Sequence, residues 1–195
     1  MMDKRSLQRY RLAAAFYLGG VLTGALSVFL PGAEQALLPA QALDALHAGR
    51  LWFAAPGGDH ANWGLFLFIA AQNSRTALLT WLGGLLVGIG SAVMLFENGL
   101  FGIGAPLALS FKYGVGKPFL IFLAGHYPLE LLGISLAGTG GLLLGDAVLE
   151  IRADWRACLR YRPLRQAVLL FLLSMPCFLL AAWLESHLSL GAAPP

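Results

Sequence analysis

The chain has 195 residues, of which 58% are hydrophobic and 12% charged, with a formal net charge of +3. A soluble domain carries about 25% charged residues, so this composition excludes an ordinary soluble enzyme domain and fits one polytopic membrane bundle. The basic residues fall in two short clusters, which read as topology signals and give no nucleic-acid footprint.

Met1 to Arg11 is polar and basic, with Lys4, Arg5, Arg9 and Arg11. Leu12 to Leu30 is the first apolar run and ends at Pro31-Gly32. It exceeds the ~7–15 residues of a signal-peptide core and predicts an uncleaved anchor helix. Gly20 and Gly24 give that helix a small-xxx-small packing face. Residues 31–62 are expected to form an extracytoplasmic loop with a short helix near Glu34 to Leu46. Trp52 and Trp63 suit a membrane–water interface. Trp63 to Gln72 is too short for a crossing of about 20 residues and predicts an interfacial or half-inserted helix.

Thr76 to Phe96 reads as a spanning helix, with Arg75 at its start and Glu97-Asn98 at its end. Gly99 to Phe111 is shorter and is followed by the polar break Lys112 to Lys117. Pro118 to Gly125 predicts a second half-helix. Leu129 to Leu149 is the next span, with Pro128 in its first turn, where proline is tolerated. Residues 150–165 form a basic stretch with Arg152, Arg156, Arg160, Arg162 and Arg165. Gln166 to Leu184 is the last span. Cys158 and Cys177 form neither a metal motif nor a disulfide pair.

Positive charge marks the cytoplasmic side. Residues 1–11 and 150–165 are therefore both expected in the cytoplasm, which requires an even number of crossings between them. Gly99 to Gly125 must supply one net crossing through a broken, re-entrant region. The expected fold is an all-α transmembrane bundle of about five crossings, with its N-terminus cytoplasmic and its C-terminus outside. This topology gathers Arg75, His126, Glu130 and Glu185 at one outer level, with Lys112 and Lys117 above them. His126 and Glu130 share a helix face if the helix runs unbroken through Pro128.

Two readings of His126 and Glu130 stand side by side at this point. One is a structural polar contact holding broken helices together. The other is a site for an ion, a proton or a lipid headgroup, because ionisable groups at membrane depth face a bundle interior or a wet cavity. One histidine and one or two carboxylates fall short of a zinc signature, and no nucleophile–base arrangement presents itself. No catalytic residue, metal or cofactor is expected, and an intramembrane metalloenzyme stands as the lesser alternative.

Four pieces of the chain resemble the stage II sporulation protein M family. They are Gln72-Asn73-Ser-Arg75-Thr-Ala-Leu-Leu with Gly83-Gly-Leu-Leu-Val-Gly88-Ile-Gly90; Phe96-Glu97-Asn98-Gly99-Leu-Phe-Gly102; Gly125-His126-Tyr-Pro-Leu-Glu130 through Gly145; and Ala181-Ala-Trp-Leu-Glu185. The resemblance covers residues 66–185. The family usually has Asn-Asn at Gln72-Asn73 and Pro-His-Gly at Gly125-His126-Tyr127. It implies an integral membrane protein of about five spans, with His126, Glu130 and Glu185 as polar marks. In spore formers it implies a membrane partner of wall-remodelling proteins during engulfment. The expected function is a non-enzymatic scaffold or subunit of a complex in the cytoplasmic membrane. Its partners would be lipids, other envelope proteins or a second copy, with Asn73, Glu97, Asn98, Lys112 and Lys117 as accessory residues. The alternative is a transport subunit or small permease with an outer-leaflet polar site.

Overall fold

The computed structural model describes residues 4–38, 40–48, 63–150 and 162–187. Arg50, Trp52, Asp59, Arg152, Arg156, Cys158 and Arg160 lie outside the described residues. Every element among the described residues is helical: α1 (Lys4–Ser27), α2 (Ala33–Leu37), α3 (Ala40–His47), α4 (Trp63–Leu82), α5 (Ile89–Glu97), α6 (Ala105–Lys112), α7 (Gly116–Glu150) and α8 (Arg162–His187). A π-helical segment, Asn98–Gly104, joins α5 to α6 in one rod. Among the described residues, three helical stretches are long and apolar enough to cross a membrane: Ile89–Lys112, Gly116–Glu150 and Arg162–His187.

Among the described residues, five rods alternate in direction along the chain. α1 runs against α7, since Arg5 meets Asp146 and Tyr17 meets Tyr127. α4 runs with α7, through Asn73–Glu130 at one end and Gly84–Gly141 at the other. α8 runs against both: Trp81 on α4 donates to the Ala167 carbonyl at 3.1 Å, and His187 packs on Trp63. α7 is the central rod, with 78% of its most apolar window buried.

Several boundaries differ from expectation. α1 begins at Lys4, inside the basic stretch, because Arg5 and Arg9 both reach Asp146 on α7 and Arg5 also pairs with Glu150. The loop region 31–47 folds into two short helices. They cap the bundle through a cluster of Val28, Leu38, Leu43, Leu46, Leu109 and Val115.

The larger difference lies at Thr76 to Phe96, which is not one helix. Trp63–Leu82 is continuous through the polar run Gln72 to Arg75. The chain then reverses: a 3-10 turn, Gly83–Leu86, leads into Val87 (φ 57°) and Gly88 (φ 83°). A left-handed residue after a helix ends it. The two arms close backbone to backbone, since a Cβ on Gly83 would sit 2.5 Å from the Gly90 carbonyl carbon. Ser91 Oγ ties them by donating to the Thr80 carbonyl at 2.7 Å. With the reversal placed there, Gly99 to Phe111 completes the rod that starts at Ile89. The break at Lys112 to Lys117 is a tight turn at Tyr113–Val115 rather than a re-entrant loop. Pro118 to Gly125 and the Leu129 span fuse into α7, with Pro128 inside it and exposed.

A second glycine seam joins α1 to the α5–α6 rod. A Cβ on Gly20 would lie 2.0 Å from the Phe96 carbonyl oxygen, and one on Gly99 2.1 Å from that of Tyr17. Lipid tails are as apolar as the helices, so such close backbone packing is what drives association there.

Candidate functional site

The continuity of α7 settles the register of His126 and Glu130. They lie four residues apart on one uninterrupted helix and therefore share a face. That face meets α8 running the other way, which brings up Glu185 two residues before the helix ends at His187. His126 Nε2 stands 4.0 Å from Glu185 Oε2. One ligand atom from each of His126, Glu130 and Glu185 lies within 4.8 Å of the others. The His126 side chain is 3% exposed and that of Glu185 21%. The ring of Phe122, one turn earlier, covers the imidazole edge-on at 4.8 Å between centroids. His126 Nδ1 is buried without a hydrogen bond of good geometry among the described residues.

α4 orients the third group. Asn73 Nδ2 donates to Glu130 Oε1 at 2.8 Å. Beside this bond opens a cavity of about 90 Å³ of mixed lining, with Tyr17, Asn73, Thr76, Asn98, Tyr127 and Glu130 on its polar side and Ile103, Ile134 and Phe178 on its apolar side. The Tyr17 and Tyr127 hydroxyls are 2.6 Å apart and join α1 to α7 across it. Asn98 spends its own amide on the Met94 carbonyl at 2.7 Å. The volume admits several waters, each needing roughly 10–15 Å³, and one carboxylate faces it.

The other expected members lie elsewhere. Arg75 is exposed in the middle of α4, on the side away from Glu130, and joins neither carboxylate. It reads as a helix start only while the helix before it is taken to stop at Gln72. Lys112 pairs with Glu34 of α2, and Tyr113 donates to the same carboxylate. Lys117 and Glu97 are exposed. Sequence reasoning misses Asp146, Tyr17, Thr76 and Tyr127. A signal for Asp146 is present: it is the one acidic residue in the apolar stretch 131–149.

Two carboxylates and an imidazole inside a helical bundle, with no cationic side chain bonded to Glu130 or Glu185 among the described residues, can do one thing well. They can hold a small cation or protons. The imidazole offers a nitrogen and each carboxylate an oxygen, a donor set suited to Zn²⁺, Mn²⁺ or Fe²⁺.

The apolar rods and this enclosed polar cluster define an all-helical membrane protein. The profile for Stage II sporulation protein M matches residues 13–190, and the chain belongs to that family. The match reaches back through α1, beyond the residues 66–185 that carry the motifs. No match was found among curated proteins or solved structures.

Proposed function

We propose that the chain is a non-enzymatic, multi-pass subunit of a larger envelope complex, clamped from within by a cation held between α7 and α8. The five alternating rods act as five crossings of the cytoplasmic membrane. The basic end of α1 is cytoplasmic, and the cluster sits in the outer half. In this reading the protein is a scaffold whose closed shape is what its partners bind, and envelope remodelling is the process it serves.

One observation carries the proposal: His126, Glu130 and Glu185 converge within 4.8 Å inside the bundle. Charge at membrane depth costs roughly 2.5–3.5 kcal/mol per group on insertion scales. Two carboxylates with no arginine or lysine beside them among the described residues need a cation or protons to offset that cost, and three donors converging within 4.8 Å favour a cation. Asn73 fits as the outer partner that orients Glu130, as ligand carboxylates generally require. A second reading, a transport subunit, is favoured by the cavity at Glu130, which would admit an ion from one side.

The test is the thermal stability of the purified protein in mild detergent, titrated with Zn²⁺, Mn²⁺, Ca²⁺ or Na⁺ after chelation. Wild type is expected to gain stability with a divalent ion, as mass action requires for a ligand of the folded state. Glu130→Gln, Glu185→Gln and His126→Ala are expected to lose that gain while still inserting. Asn73→Ala is expected to weaken it by about 10–100-fold. A wild type indifferent to every ion would sink the clamp. Ion flux into proteoliposomes would instead select the transport reading.

A further inference from the structure

Arg75 and Glu97 are exposed and stand well inside their rods rather than at the ends. Arg75 is the thirteenth of the 20 residues of α4, and Glu97 closes α5, part-way along the rod Ile89–Lys112. Among the described residues neither enters an ion pair or a hydrogen bond. Their surroundings are apolar and outward-facing: Leu67, Phe68, Leu78 and Leu79 on α4, Val93 and Phe101 on the neighbouring rod. Gln72, one turn from Arg75, is exposed on the same side.

The hairpin sets their heights. Thr80 and Ser91 face each other across it. Arg75 is five residues back along α4 from that level, and Glu97 six residues on along α5. At ~1.5 Å per residue both lie roughly 8–9 Å away in the same direction. Arg75 lies about half a turn from the inward-facing Asn73 and Ala77, and Glu97 about half a turn from the buried Leu95, so a cation on α4 and an anion on α5 both face out of the bundle at one height. Helical side chains lean toward the N-terminus, so Arg75 leans away from the nearer, basic end of the bundle. Its shortest route to water is thus the one its geometry disfavours.

We propose that this α4–α5 face is a homodimer interface, in which Arg75 of each copy pairs with Glu97 of the other. Two copies inserted in the same sense are related by a twofold axis along the membrane normal. Such an axis preserves height, and an isologous contact needs residue i to meet j while j meets i. A cation and an anion at equal height on one face satisfy both conditions, and two reciprocal pairs form at once. Each removes an exposed charge from lipid, where uncompensated charge is expensive. The apolar residues around them supply the rest of the contact.

The experiment measures the mass of the purified full chain in detergent by light scattering, and energy transfer between labelled copies in vesicles. Wild type is expected as two copies. Arg75→Glu alone and Glu97→Arg alone each place like charges together, and each is expected to halve the mass to one copy. Mixing these two variants restores opposite charges in both contacts. The two reversed side chains meet each other in one contact, and the two native ones, Glu97 and Arg75, meet in the other. The mixture is expected to return to two copies, each pair holding one chain of either variant. A pair formed within one chain gives no such rescue, so failure of the mixture to associate overturns the proposal. So does a monomeric wild type, or a mass of one copy plus a different polypeptide. Unchanged mass in both single variants overturns it as well. Recovery in the mixture also shows that each variant is folded.

Discussion

Gly99→Ala and Gly102→Ala make a matched pair inside one π-helical segment. A Cβ on Gly99 would sit 2.1 Å from the Tyr17 carbonyl oxygen and 2.9 Å from the Val21 nitrogen. Ordinary contact begins near 3.4 Å, so α1 would have to retreat by about 1.3 Å. Both atoms are backbone, so no rotamer change relieves the clash. Gly20 and Gly24 face Phe96 and Leu100 along the same seam and would part with it. Overpacking of this kind costs about 1–3 kcal/mol. Gly102 has nothing within 4 Å of its added Cβ. There alanine is expected to be neutral or to stabilise by up to about 1 kcal/mol, through helix propensity alone. The assay is reversible unfolding in mixed micelles, with the Tyr17–Tyr127 contact followed by tyrosine absorbance. Retreat of α1 should separate those hydroxyls, so Gly99→Ala is expected to change that signal as well as stability. Equal stabilities for the two variants, or a Gly99→Ala chain with wild-type stability, would refute the packing argument.

Asp146→Asn leaves Arg5 and Arg9 without their shared carboxylate. Both arginines are more than a third exposed, so the loss is expected at about 1–3 kcal/mol rather than the full cost of a buried charge; it is read as lowered thermal stability and earlier proteolysis of α1. The cap formed by α2 responds to pH. Hydrogen bonds from Lys112 and Tyr113 lower the Glu34 carboxyl below its usual range. Its contribution is therefore present above the unfolded value and lost as pH falls through the folded one. Glu34 in turn pushes the Tyr113 hydroxyl up to about 12, so that contribution is complete below pH ~10 and lost as pH rises through the folded value. The protection of the Ala33–His47 amides, as exchange relative to the intrinsic rate at each pH, is expected to be greatest between these limits. Glu34→Gln is expected to remove the acid limb. Trp81→Phe deletes the bond to the Ala167 carbonyl and is expected to cost about 1 kcal/mol, measurable in the same unfolding assay.

The all-helical class and the convergence of His126, Glu130 and Glu185 are legible from the chain, because each of those polar marks interrupts an apolar run. The reversal at Val87–Gly88 is not. A turn deep in apolar sequence needs no polar residue when its backbone groups satisfy one another. Here Gly88 N–H donates to the Gly84 carbonyl at 3.0 Å, and Ala92 N–H to that of Gly88 at 3.1 Å. Hydropathy runs smoothly across such a turn. The polar run Gln72 to Arg75 misleads in the opposite sense and looks like a boundary. Its residues instead face different ways on one helix, Asn73 inward to Glu130 and Arg75 outward. Periodicity separates those directions only once the helix is known to continue. Asp146 shows the same limit: an acidic residue near a helix end reads as an exit to water until α1 supplies its arginines.

The length of α7 has a mechanical meaning. Its 35 residues make a rod of roughly 52 Å, against a hydrocarbon core of about 30 Å. The rod is gripped near one end by the Gly84–Gly141 seam, and its other end emerges beside Val115, which the α2–α3 cap covers. His126 and Glu130 lie between grip and cap. Tyr17, Asn73 and Glu185 hold the rod again at that level. Cap, cluster and seam are thus three fixed points along one continuous helix.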